Sequence, residues 1–170
     1  MATITKDLTQ KAAQQRVAIA LLLHRAGIAV IPLNGKRPID NGWQKVTAAD
    51  QTEAGVIAMA QRGNIGMPTG SGSGIVVIDI DDPANAEAIA QELGLDQQPT
   101  WVVRTGGGGL QLYFRIPAGA TIKNSVKRVH PMVDVRGEGG QVVLPGSIHP
   151  DPGRMYDWVA PELSPAEVSL

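Results

Sequence analysis

The stretch Ile75-Val76-Val77-Ile78-Asp79-Ile80-Asp81 is a hydrophobic run that ends in two carboxylates. Four consecutive aliphatic residues predict a buried strand. Because strand side chains alternate between two faces, Asp79 and Asp81 are expected to lie on the same face. Two adjacent carboxylates are costly unless a positive charge lies between them, and divalent metals prefer oxygen ligands. Alone, the motif leaves two interpretations open, a metal site and a solvated acidic turn at Asp82-Pro83.

Composition indicates an ordinary globular protein. A chain of 170 residues fits one domain with a substantial core, and an aromatic content of only 4% means that this core is mostly aliphatic. The absence of cysteine excludes disulfides and cysteine-ligated zinc, and a cytoplasmic protein is the expectation. The apolar run Val17–Leu23 is bounded by Arg16 and His24, so it is too short to span a membrane.

Charge is unevenly distributed although the net charge is only −1. Between Arg104 and Arg136 the basic residues outnumber the single acid, Asp134, by five. Such a local basic face is compatible with phosphate contacts. For Lys123, Lys127 and Arg128 a solvated loop is an equally open interpretation.

Periodicity and turn residues predict a mixed chain of helices and strands. Helices are expected over about residues 9–26, from Thr47 or Asp50 to Gln61, and over 84–93 with Pro83 in the first turn. Strands are expected over residues 28–31 (closed by Pro32), 64–68, 75–81, 101–105, 110–116, 133–136 and 141–145. Residues 69–74 are expected to form a tight loop, and residues 106–109 the turn of a hairpin.

Three polar positions stand out on these strands: Asp79 with Asp81, Gln111, and Asp134 with Arg136. Each lies next to a glycine-rich turn, which lets a ligand approach the backbone closely. Three carboxylates holding one or two metal ions are the minimal equipment for phosphoryl or nucleotidyl transfer, and a nearby arginine neutralises phosphate charge.

The order of these pieces resembles the archaeo-eukaryotic primase superfamily and, more narrowly, the prim-pol domain of bifunctional DNA primase/polymerases of plasmids, phages and integrated elements. The resemblance runs from about Gly27 to Trp158. It rests on the following segments in order: Ile31–Pro38 with Gly42-Trp43, Asn64–Gly66, Gly70, Gly74–Asp81, Thr105–Phe114, Val133–Gly140, Pro145–His149 and Tyr156–Trp158. It implies one α/β (α+β) prim-pol domain over residues 1–170, in which an N-terminal helix-and-sheet unit and a second sheet like that of an RNA-recognition motif enclose the active-site groove.

By this resemblance Asp79, Asp81 and Asp134 are the catalytic carboxylates and hold two Mg²⁺ or Mn²⁺ ions. Gln111 and Arg136 contact the triphosphate. Lys36 and Arg37 contact template or nucleotide, with a solvated turn as the alternative, and Trp43 is expected to be a core or loop anchor. The implied partners are single-stranded DNA, (d)NTPs and a helicase domain or subunit, the last because family members usually continue into a helicase. The given sequence ends at Leu170 without a helicase motif, so two interpretations are open, an N-terminal fragment of a longer primase-helicase and a stand-alone protein.

One departure from the family pattern is Gln111, which stands where the second motif normally has a phosphate-contacting histidine. Glutamine donates hydrogen bonds but carries no positive charge. His130 and His149 lie outside the motif strand, and His149 is expected to be a loop residue. Two main hypotheses follow, a metal-dependent primase-polymerase and a prim-pol-like DNA- or nucleotide-binding module that helps to initiate replication. A third interpretation is an unrelated α/β domain in which the acids are incidental.

Overall fold

The computed structural model describes residues 2–151 and 153–160, with side chains from residue 7 onward, and within them the chain has three α-helices and ten strands. The helices are α1 (Ala2–Arg25), α2 (Glu53–Arg62) and α3 (Ala86–Glu92), and short 3-10 turns cover Trp43–Lys45 and Ala48–Asp50. None of the described helices combines the length and the hydropathy that a membrane span requires. The assignment of residues 161–170 to the domain lies outside the described residues.

The strands form two separate antiparallel sheets. Four strands make the smaller sheet: β1 (Ile31–Asn34), β2 (Arg37–Pro38), β3 (Ile65–Pro68) and β9 (Gln141–Val143), in the spatial order β2-β1-β3-β9. Six strands make the larger one: β4 (Ile75–Ile80), β5 (Trp101–Arg104), β6 (Leu110–Arg115), β7 (Ser125–His130), β8 (Val133–Arg136) and β10 (Asp157–Trp158). Their order is β10-β5-β6-β4-β8-β7, so β4 lies inside the sheet between β6 and β8.

Within the larger sheet the order β8-β4-β6-β5, with α3 connecting β4 to β5, is the strand order of an RNA-recognition-motif sheet. Strand β7 stands where that motif has its second helix, between β6 and β8. The expected α+β fold, a helix-and-sheet unit beside a second antiparallel sheet, is therefore confirmed.

The hydrophobic residues divide into two cores on opposite faces of the larger sheet. Alternation along β6 shows the division, because Tyr113 belongs to the inner core while Leu110 and Leu112 belong to the outer one. The inner core joins the larger sheet to the smaller sheet, α1 and α2. The outer core is closed by α3 through Ala86, Ile89 and Ala90. Polar residues on the inner face therefore lie on the side of the sheet that faces the helix-and-sheet unit.

The helix boundaries predicted from sequence need correction. The first helix begins at Ala2 rather than near Thr9 and ends at Arg25. The segment after Thr47 is a single 3-10 turn held by mutual hydrogen bonds between Thr47 and Asp50, and α2 begins only at Glu53, where the Thr52 hydroxyl accepts a bond from the Gly55 N–H. The third helix starts at Ala86 instead of at Pro83, because the Asp82 carboxylate binds the backbone N–H groups of Ala84 and Asn85 in a turn.

The first strand was also misplaced, since it runs over Ile31–Asn34 and contains Pro32 instead of ending there. The proline is tolerated because its neighbour Leu33 donates to the Asn64 carbonyl while the Pro32 carbonyl accepts from Ile39. Strand β7, the short β2 and the short β10 were not predicted. The remaining strands, the hairpin turn at residues 106–109 and the tight loop at 69–74, in which Gly70 bonds Ile75, are confirmed.

Candidate active site

The centre of the site is a row of three polar residues across adjacent strands. Asp79 on β4 is the direct register partner of Gln111 on β6 and of Asp134 on β8. Directly paired residues of antiparallel strands project to the same face, so the three side chains stand side by side. Their neighbours Val77 and Tyr113 on this face belong to the inner core. The row therefore faces the helix-and-sheet unit.

Arg136 connects the two carboxylates of this row. Its Nη2 atom is 2.8 Å from Asp134 Oδ2 and 3.3 Å from Asp79 Oδ2, and its Nε atom is also 3.3 Å from Asp79 Oδ2. The second oxygen of Asp134 accepts a bond of 3.1 Å from the backbone N–H of Lys127. All three side chains of the bridge keep less than a third of their surface exposed, which strengthens these contacts relative to exposed ion pairs.

Asp79 lies in the most demanding electrostatic environment of the row. Burial raises the pKa of its carboxyl, and the negative charge of Asp81 raises that pKa further. The Arg136 guanidinium and a hydrogen bond from the Gln111 side chain lower it. Gln111 is buried, and its Oε1 accepts a bond of 3.3 Å from the Tyr113 hydroxyl. Burial, with the Asp79 charge second, raises the pKa of Tyr113, so this hydroxyl stays protonated as a donor. Gln111 thus contacts Asp79 and Tyr113.

A pocket of about 440 Å³ opens over this row, between the two sheets. The larger sheet contributes Asp79, Gln111 and Arg136, and Asp81 follows directly after β4 on the same wall. The pocket has the size of a small-molecule site. The sequence expectation that Asp79 and Asp81 share a face is confirmed, because both line this pocket.

The helix-and-sheet unit supplies the opposite wall, including Lys36 and Arg37 at the β1–β2 turn. Both side chains are exposed, and the ion pairs found among the described residues involve neither of them. Trp43 packs against the inner core, as expected of an anchor, and also lines the pocket. The turn of the predicted cations therefore faces the predicted carboxylates across the groove.

The glycine turn between β5 and β6 is built for close backbone approach. A Cβ atom on Gly109 would collide with the Ile80 carbonyl oxygen at the end of β4. Arg154 donates from Nε to the Gly106 carbonyl at 3.0 Å and from Nη2 to the Gly107 carbonyl at 3.3 Å. These contacts hold the turn against the end of β4, and Gly107 lies on the pocket wall.

His149 is the pocket residue that sequence reasoning missed as part of the site. It lies in a loop, as expected, but it lines the same pocket as Asp81 and Lys36. Burial lowers the pKa of its imidazole and the Lys36 charge lowers it further, while the Asp81 charge opposes them. The signal was present in the Pro145–His149 segment of the family pattern, but only the fold shows that this segment returns to the groove.

Of the basic residues between Arg104 and Arg136, only Arg136 lies on the pocket wall. Lys127 and Arg128 lie on the exposed edge strand β7, where a solvated loop was the alternative expectation, and Lys127 has a positive φ of 53° within a bulge. The bulge turns the Lys127 N–H toward Asp134. The backbone of this segment thus contributes to the site.

The three carboxylates are of the ligand type that divalent metal ions prefer. Asp79, Asp81 and Asp134 offer only oxygen donors, which suit Mg²⁺ or Mn²⁺. Among the described residues, however, no three His, Cys, Asp or Glu side chains are grouped as a metal site, and the Arg136 guanidinium bridges Asp79 and Asp134. Metal binding at all three carboxylates therefore requires Arg136 to release both Asp79 and Asp134.

Comparison with known proteins gives an independent assignment. The family model described as bifunctional DNA primase/polymerase, N-terminal (Prim-Pol) matches residues 20–169, nearly the whole chain. No curated protein matches the sequence. A function related to DNA priming and polymerisation, with DNA and nucleotides as substrates, follows from the family. The chain belongs to the prim-pol family, as its ordered motifs predicted.

Proposed function

We propose that this protein is a template-directed DNA primase and polymerase, which joins (d)NTPs on single-stranded DNA in the replication of a plasmid, phage or integrated element. The observation that carries the proposal is the register of β6, β4 and β8, which sets Asp79 directly beside Asp134. Asp79 and Asp81 line the pocket, and Asp134 lies next to its wall, bonded to the pocket residue Arg136. Carboxylates paired in this way, opposite exposed cations, suit a negatively charged triphosphate substrate.

Each side chain has a distinct role in the proposed reaction. Lys36 and Arg37 attract the triphosphate, and Arg136 exchanges its bonds with Asp79 and Asp134 for phosphate oxygens, since a guanidinium binds both anions in the same geometry. Asp79, Asp81 and Asp134 are then free to hold two Mg²⁺ or Mn²⁺ ions, which when bound would lower the pKa of the attacking hydroxyl and neutralise the leaving pyrophosphate. Gln111 keeps Asp79 oriented through its hydrogen bond.

The bond changes are those of a nucleotidyl transfer. The 3′-hydroxyl oxygen of the growing strand forms a bond to the α-phosphorus and loses its proton. The bond between the α-phosphorus and the bridging oxygen breaks, and pyrophosphate leaves. The single-stranded template selects the incoming nucleotide by base pairing.

Primer-extension and de novo dinucleotide assays with Mg²⁺ and with Mn²⁺ test the proposal. We expect incorporation by the wild-type protein and at least about 100-fold less by the Asp79→Ala/Asp81→Ala variant. The exposed Asp96, outside the pocket, provides the matched control Asp96→Ala, which should retain wild-type rates. Equal incorporation by the wild-type protein and the double variant would exclude the enzymatic function.

A second candidate function is a prim-pol-like binding module without polymerase chemistry. Two observations favour it: Gln111 replaces the motif histidine, and Arg136 is ion-paired with both Asp79 and Asp134. The Gln111→His variant separates the candidates. A weakened enzyme should gain about 10- to 100-fold in rate from the restored imidazole. If neither protein forms product while both still bind single-stranded DNA, the module is the better description.

A further inference from the structure

The position of His149 is fixed by contacts with neighbouring segments. Its backbone N–H donates to the Arg154 carbonyl at 2.8 Å, and its ring stacks on Tyr156 with centroids 6.0 Å apart and planes 17° apart. Only glycine fits at position 106, because a Cβ atom there would collide with the His149 Cβ. The imidazole is therefore held in one orientation by a buried tyrosine on one side and the glycine turn on the other.

The orientation of the ring leaves one nitrogen for a ligand. The Asp151 backbone N–H donates to His149 Nδ1 at 3.1 Å, so the proton of the neutral imidazole belongs on Nε2. His149 and Gly107 both line the pocket, and Nε2 lies 3.8 Å from the place where a Cβ on Gly107 would be. None of the hydrogen bonds found among the described residues uses Nε2. It is thus a hydrogen-bond donor facing a pocket in which Lys36, Arg37 and Arg136 also lie.

Gln111, in contrast to His149, is buried and has protein partners for its side chain. It is only 4% exposed, its carbonyl oxygen accepts from Tyr113, and its side chain also bonds Asp79. Gln111 also lines the pocket, but a buried side chain held between these two neighbours is suited to positioning Asp79. The pocket nevertheless contains one imidazole, and it comes from a different segment of the chain.

We propose that His149, and not Gln111, supplies the imidazole contact to the substrate, with Nε2–H donating to a phosphate oxygen of the bound nucleoside triphosphate. This inference rests on the proposed function, and it assigns to the Pro145–His149 turn the phosphate contact that the resemblance to the family implies for Gln111 on β6. Gln111 then acts as a positioning residue for Asp79.

Two substitutions of His149 test the contribution of the hydrogen-bond donor at Nε2. In His149→Asn the amide reaches about as far as Nδ1 and keeps an acceptor for the Asp151 N–H, but the donor at Nε2 is lost. In His149→Gln the amide nitrogen reaches the Nε2 position. Calorimetric titration with dATP in the presence of Mn²⁺ should show about 10- to 100-fold weaker binding for His149→Asn and nearly wild-type binding for His149→Gln. In primer extension the Asn variant should raise KM more than it lowers kcat.

The controls make each outcome decisive. His130→Asn, outside the pocket, should bind dATP like the wild-type protein, and thermal unfolding should show that both His149 variants remain folded. Deoxyadenosine, which has no phosphates, should bind all variants alike. If His149→Asn binds dATP as tightly as the wild-type protein does, the inference is wrong and the proposed function stands. If the wild-type protein binds no triphosphate at all, both are wrong.

Discussion

At the scale of single residues, the charged carboxyl of Asp79 lowers the free energy of unfolding. Burial raises the pKa of its carboxyl more than Arg136 and Gln111 lower it. A carboxyl whose pKa is higher in the folded than in the unfolded protein destabilises the fold when it is ionised. The destabilisation is complete above the folded pKa and disappears as the pH falls through the ordinary pKa of an aspartate. Ionised Asp79 therefore lowers the stability of the fold while it supplies negative charge to the site.

The corresponding prediction concerns Asp79→Asn. At pH 8 this variant should have a higher free energy of unfolding than the wild-type protein, and the difference should shrink as the pH falls toward 4, as measured by urea denaturation. Asp82→Asn is the control of opposite sign. The Asn85 side chain lowers the pKa of Asp82, so removing its charge should cost stability at pH 8 and not at low pH. A less stable Asp79→Asn protein at pH 8 would contradict this account.

At the scale of elements, the turn of the β5–β6 hairpin determines how closely β6 packs on the end of β4. The turn passes over the end of β4 so tightly that Gly109 has no room for a side chain beside the Ile80 carbonyl. Arg154 fastens the same turn through the Gly106 and Gly107 carbonyls. The glycines of this turn thus serve the packing of β6 on β4 as well as access for a ligand.

Gly109→Ala should therefore lower the free energy of unfolding by about 1–3 kcal/mol, because the new methyl group pushes β6 away from β4. Gly72→Ala is a suitable control, since nothing lies within 4 Å of its Cβ position and its φ is not positive. That change should alter stability by no more than about 0.5 kcal/mol. Urea unfolding curves of the two variants measure the contrast, and equal values would show that the hairpin is looser than described.

At the scale of the whole molecule, Arg16 joins three parts of the helix-and-sheet unit. It is only 7% exposed, although the sequence indicated nothing more than the boundary of an apolar run. Its Nε donates to the Ala60 carbonyl in α2 and its Nη1 to the Gly146 carbonyl after β9, each at 2.7 Å. Through these bonds α1 holds the segment that leads to His149.

Replacing Arg16 by leucine should cost about 2–4 kcal/mol of unfolding free energy, because two buried carbonyl groups lose their donors. Arg25→Leu removes an arginine of the same helix that pairs with Glu53 at the surface, where exposed ion pairs contribute little. Thermal and urea unfolding should therefore separate the two variants clearly. If the two variants lose similar amounts of unfolding free energy, the bonds of Arg16 do not hold these segments together.

Much of this protein follows from its sequence. The aliphatic run before Asp79, the alternation on β6 and the glycine turns identify most central strands of the larger sheet, and alternation alone places Asp79 and Asp81 on one face. The ordered motifs also identify the family, which the family match confirms. These features are encoded by neighbouring residues, so the local pattern is enough to find them.

Other features depended on tertiary structure, because they arise where distant segments meet. Register between β4 and β8 sets Asp79 opposite Asp134, and the same register lets Arg136 bridge the two carboxylates. Neither the burial of Arg16 nor the return of His149 to the groove has a local signal, since each depends on what the folded chain packs around it. The sequence alone determined which carboxylates are available, and the tertiary structure decided which cation and which imidazole face them.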